Sequence, residues 1–167
     1  CDSYERAYRR AVKDYDRVSD EGEMIEEILS SDIIYVGDYH TCNQSQRSFL
    51  RILKATVKTD SEFMVGMELL HKRHQKTLNE FLADKIDEKT FLKRIKLMEH
   101  WVFDLWSNFK PIFDFCKYHK IPMYAIDAAK KGSNVKERDL ASAKLLAKVL
   151  KDNPGKRLFV FIGDLHI

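Results

Sequence analysis

Long apolar runs are missing from this chain. No stretch of the 167 residues approaches the 18 or more that a membrane-spanning helix needs, and the opening residues, with their Arg and Lys, are too polar for a signal sequence. Cysteine is scarce. Cys1, Cys42 and Cys116 stand far apart with no CxxC pair and no CxxCH haem-attachment pattern, which argues against a disulfide framework and a structural zinc site and leaves three independent thiols. A strong excess of one charge is also lacking: 29 Lys and Arg face 26 Asp and Glu, interleaved along most of the chain, so there is no basic footprint and no nucleic acid is expected as a partner. Linkers and low-complexity segments are absent too. The length and apolar content suit a single α/β domain over 1–167, with residues 1–30 as a helical segment packed on it. Cys1 at the first position fits either a processed lipoprotein or a chain boundary.

What is present is a pattern used twice. Gly37-Asp38-Tyr39-His40 follows the apolar run Ile33 to Val36, and Gly163-Asp164-Leu165-His166 follows Leu158 to Ile162. Each run is short and rich in β-branched or aromatic residues, so each reads as a buried strand that delivers polar side chains at its carboxyl end. In extended chain, residues i and i+2 face the same way. Asp38 with His40, and Asp164 with His166, would then each present an oxygen and a nitrogen to one point.

Taken in order, Tyr4, Tyr8, Val12 and Tyr15 predict an amphipathic helix, and Glu23 to Leu29 a second short one. A strand over Asp32 to Gly37 leads through a polar turn into a helix carrying Phe49, Leu50, Ile52 and Leu53. A strand over Phe63 to Glu68 follows, with His71, Arg73 and His74 expected to open the next helix. Asp87 begins another helix. The aromatic stretch from Trp101 to Tyr118 contains Pro111, near which a new helix should start. Ile121 to Ile126 is the third strand, ending in Asp127. Lys136 to Leu150 is a helix with Leu140, Ala143, Leu146, Ala147 and Leu150 on one side, stopped by Asn153-Pro154-Gly155, and Arg157 to Ile162 is the fourth strand. Strands alternating with helices predict an α/β fold with a mostly parallel β-sheet flanked by helices on both faces.

In open parallel sheets the ligand crevice lies at the carboxyl ends of the strands. All four predicted strands end there in ionisable residues: Asp38 and His40, Glu68, Asp127, Asp164 and His166. Two histidines among carboxylates suit a divalent metal ion. The same groups without a metal suit acid–base chemistry, a carboxylate orienting each imidazole. Several features have plainer readings: His71 and His74 as part of a solvated helix start, the aromatic stretch as core, and Cys42 as a bystander thiol.

Taken together, Val36-Gly37-Asp38-Tyr39-His40-Thr41, Gln44-Ser45-Gln46-Arg47, Gly66-Met67-Glu68 and Gly163-Asp164-Leu165-His166 resemble the ChaN family of haem-binding lipoproteins, within the Tiki superfamily that also holds erythromycin esterases and TraB-type proteins. Arg73-His74-Gln75, Trp101 to Trp106, Pro111-Ile112-Phe113 and Glu137-Arg138-Asp139-Leu140-Ala141 are similar to family blocks in the same order, so the resemblance runs from about Ser31 to Ile167. It implies a haem-binding, iron-uptake role with haem or another small molecule as ligand, and a cell-envelope lipoprotein whose membrane link is a lipid on Cys1. A homodimer stays open. It also implies that His40, Glu68 and His166, with Arg138 nearby, form the metal or catalytic cleft of the superfamily's hydrolases. Asp38 stands where the more usual residue is Glu. Haem ligation by tyrosine in that family makes Tyr39 a candidate cofactor ligand beside His40 and His166, while Asp38, His40, Glu68, Asp164 and His166 are the candidate metal ligands. Family chains run on past the second motif, implying further sheet beyond Ile167. Whether the chain is an enzyme is left open between haem binding and metal-dependent hydrolysis. A metallophosphoesterase, echoed by Gly-Asp-Leu-His, lacks its later Asn-His and Gly-x-His elements.

Overall fold

A computed structural model describes residues 6, 10, 13, 17, 19–39, 43–59, 62–96, 105–130 and 132–166. The chain divides into two compact units, Cys1–Ser30 and Ser31–Ile167. In the first, α1 spans Glu21–Ser30, with Asp20 and Glu23 exchanging side-chain-to-backbone hydrogen bonds at its start. The helix predicted over Tyr4 to Tyr15 rests on residues outside those described.

The second unit runs β1 (Ile33–Asp38), α2 (Asn43–Thr56), β2 (Phe63–His71), a 3-10 turn (Lys72–His74), α3 (Gln75–Leu82), α4 (Glu88–Ile95), α5 (Trp106–Tyr118), β3 (Met123–Asp127), α6 (Val135–Asp152), β4 (Arg157–Gly163) and a closing 3-10 turn (Asp164–His166). The strands form one sheet in the order β1-β4-β2-β3, and every pairing is parallel. The α/β expectation holds.

The alternation in β4 shows how both faces are covered. Leu158, Val160 and Ile162 point one way, into a cluster with Met64, Ile126, Leu146 and Val149 beneath α6. Phe159 and Phe161 point the other way: Phe161 stacks on Phe49 of α2 at 4.4 Å between ring centres and meets Phe109 of α5 at 6.0 Å. A strand buried on both sides is a continuous apolar run, as Leu158 to Ile162 is. Gly66 of β2 sits where a Cβ would come within 3.0 Å of Ile126 Cγ2, so the close packing of β2 under this layer favours glycine.

Three local expectations need correction. His71 ends β2 and does not open a helix; the pairing of β2 with β3 slips between Met67 and His71, four steps on one strand matching two on the other, which lengthens β2 through an irregularity. Pro111 lies inside α5, not at its start. A proline at this position forgoes only its bond to the carbonyl of Ser107, and both residues are exposed, so water can serve that carbonyl. The inward face of α6 is Ser142, Leu146 and Val149, whereas Leu140 is 57% exposed. Ser142 Oγ donates to the Ile126 carbonyl at 3.0 Å, which satisfies a polar residue on the buried stripe.

Candidate ligand site at the carboxyl ends of the strands

Glu68 is the organising side chain. It interrupts the buried run of β2 with a side chain only 9% exposed. The ladder between β2 and β4 ends at Met67 and Phe161, and beyond it the Glu68 carboxylate takes over the role of the strand: Oε2 accepts the Gly163 N–H at 2.7 Å. Oε1 lies 3.0 Å from Arg138 Nη2 and 3.1 Å from His166 Nε2. One carboxylate thus ties together β2, β4, α6 and the closing turn.

His166 is held on its other side too, with Nδ1 2.5 Å from Asp139 Oδ1. With both carboxylates ionised, both contacts are hydrogen bonds at once only when both ring nitrogens carry hydrogen, since neutral imidazole donates from one. Arg138 and Asp139 reach this point because Asn134 starts α6 with a reciprocal cap: its side chain accepts the Glu137 N–H at 2.9 Å while Glu137 accepts the Asn134 N–H at 3.1 Å. Arg138 also lies 3.9 Å from Asp127 at the end of β3, and its Nε is buried with no partner among the described residues.

The first motif is built differently. Asp38, 3% exposed at the end of β1, accepts a 2.5 Å hydrogen bond from Gln46 Nε2, leaving the Gln46 carbonyl oxygen buried without a partner among the described residues. The Tyr39 N–H donates to Ser45 Oγ at 3.2 Å, while the residue as a whole is 61% exposed. His40, with Thr41 and Cys42, lies outside the described residues. Asp164 is exposed and does not join the group around Glu68; it belongs to a 3-10 turn, not to extended chain, so residues i and i+2 no longer share a side. The structure therefore brings together Glu68, Arg138 and His166, with Asp127 at the margin. No group of three His, Cys, Asp or Glu side chains among the described residues is placed to hold a metal ion.

Other groups are accounted for by packing. His71 bridges two segments, Nδ1 accepting the Arg73 N–H at 3.1 Å and Nε2 facing the Ala129 carbonyl at 3.0 Å. Trp106, Phe109 and Phe113 are buried in the core, Phe115 is half-buried and Tyr118 is exposed, and residues 101–104 of the stretch lie outside those described. Burial pushes the Cys116 thiol up to about 12, which leaves it protonated and inert. Sequence reading missed Asp139 and Gln46 as partners of the motif residues. The Asn134-x-x-Glu137 cap was the available sign that Arg138 and Asp139 open a helix.

Among solved structures, a ChaN protein of Campylobacter jejuni described by its cofacial heme binding is similar at 15% identity and a TM-score of 0.61, over 88% of this chain and 76% of that one. The RRSP effector domain of a Vibrio vulnificus MARTX toxin matches at 18% identity and 0.61, and a further bacterial protein toxin at 17% and 0.65. The chain covers 86% and 89% of itself in those two matches and spans about a third of the toxins' length, 30% and 31%. At such identities these likenesses show the fold alone. No curated protein sequence matches. A family model described as haem-binding uptake, Tiki superfamily, ChaN matches residues 24–147, and the chain belongs to that family.

Proposed function

We propose that this protein binds haem at the carboxyl ends of its strands, as a haem-uptake protein of ChaN type. The observation that carries this reading is the family match over residues 24–147. Tyr39 supports it: the residue is 61% exposed, and its backbone is anchored to Ser45, so an iron ligand is on offer without unfolding anything. Haem brings an iron centre that a phenolate oxygen can ligate. His40 is the candidate beside it. His166 fits the iron less well, since both its nitrogens already face carboxylates. Titration with haem should give a saturable Soret shift, and Tyr39→Phe should weaken it at least about tenfold, as loss of a direct ligand does. No shift in the wild-type protein would overturn the proposal.

One observation favours hydrolysis as a second reading. An imidazole held between Glu68 and Asp139, with Arg138 beside it, has the arrangement of a proton donor, an acid oriented by its two carboxylate neighbours. It needs no metal; a metal-dependent version would require Asp38, His40, Glu68, Asp164 and His166 to converge. Turnover of activated esters that disappears in His166→Ala, with unchanged metal content, would support the metal-free version, and equal rates in the two proteins would reject it.

A further inference from the structure

An open cleft of about 700 Å³ lies beside α6, on the other side of its first turns from the Glu68 group. Its floor is apolar, with Ala128 after β3 and Leu140 and Leu145 on α6; Leu140 is left 57% exposed there. Lys72 comes from the turn after β2, Lys130 from the loop after β3 and Lys144 from α6. None of these three is ion-paired among the described residues, so each ammonium group is available to a ligand. Glu137 also lines the cleft, but one of its oxygens is engaged by the Asn134 N–H. Three ammonium groups around an exposed aliphatic floor match a molecule with an apolar body and an anionic edge.

We infer that this cleft binds an amphipathic carboxylate, the apolar part against Leu140 and Leu145 and the carboxylate among Lys72, Lys130 and Lys144. The site is separate from Tyr39. That residue follows β1, Lys130 follows β3, and these strands are the opposite edges of the sheet, about 14 Å apart at three strand spacings. The inference therefore does not depend on iron ligation. Two sources share this chemistry, the propionate edge of a tetrapyrrole and a fatty-acyl carboxylate.

Metal-free protoporphyrin IX, which no iron ligand can hold, distinguishes them by its fluorescence, with oleate as competitor. Saturable binding of either probe is expected, weakened at least about tenfold in Lys72→Gln/Lys130→Gln/Lys144→Gln and by raised salt. Leu140→Asp should weaken it as well. All four positions are exposed, so the variants retain the fold. Binding of oleate assigns the acyl source, and porphyrin retained against excess oleate assigns the tetrapyrrole. Binding of neither probe, or unchanged affinity in the triple variant, overturns the inference. Haem affinity lost only in Tyr39→Phe reports on the iron site separately.

Discussion

The two Gly-Asp-x-His stretches share a pattern and take opposite forms. In the first, β1 continues through Gly37 and Asp38, and the acid is buried against Gln46. In the second, β4 stops at Gly163 and the chain coils, so the acid faces out and the histidine comes inward. Across the ladder Asp38 stands opposite Gly163, not Asp164, which puts the stretches one residue out of step. Glu68 accounts for much of the difference, because it accepts the Gly163 N–H and gathers His166 as well. Where a ladder ends, and what takes its next donor, decides what a short motif presents.

Substitutions can break this contrast. Glu68→Ala should have the largest effect, about 3 kcal/mol in urea unfolding, since Gly163, Arg138 and His166 lose one common acceptor in a part-buried place. A loss below about 1 kcal/mol would mean that the closing turn holds itself. Asp38→Ala should cost about 2 kcal/mol, because the Gln46 amide is stranded in the interior.

A carboxylate outside both stretches sets the scale. Glu88 contacts Lys110 at 2.5 Å and the Trp106 indole N–H at 2.8 Å, and these hold its carboxyl below the ordinary 4.5. A lowered folded value means stability that is present above the unfolded value and lost as pH falls through the folded one. Glu88 and Lys110 are each 39% exposed, so Glu88→Gln should cost only about 0.5 kcal/mol at neutral pH. The difference from wild type should shrink in acid-unfolding curves as pH falls below the ordinary carboxylate value and through the lowered one. Asp164→Ala should be smallest, within about 0.5 kcal/mol, as for an exposed surface position. An effect matching Asp38→Ala would show that the two stretches are equivalent after all.

Much of the fold was legible because its signals are local. The run Leu158 to Ile162 marked a buried strand, since burial on both faces leaves no polar alternation, whereas Ile33 to Val36, read the same way, is an edge strand with Tyr35 47% exposed. Asp87 and Asn153-Pro154-Gly155 marked helix ends. The inward face of α6 was not legible, because Ser142 sits on it and finds its partner in Ile126, sixteen residues away. Nor was the end of β2, whose slipped pairing depends on β3.

The site divides in the same way. By itself the sequence placed acids and histidines at the predicted strand ends and singled out Glu68 and His166, because strand periodicity and the parallel-sheet rule are properties of contiguous residues; Arg138 came from the family resemblance alone. Tertiary structure alone decided that Asp139 pairs with His166 over 27 positions and that Glu68 reaches Gly163 over 95. It also decided that Asp38 is buried while Asp164 is exposed. Hydrogen bonds between segments distant in sequence follow from where strands pair and stop, and a motif read one residue after another carries no record of that.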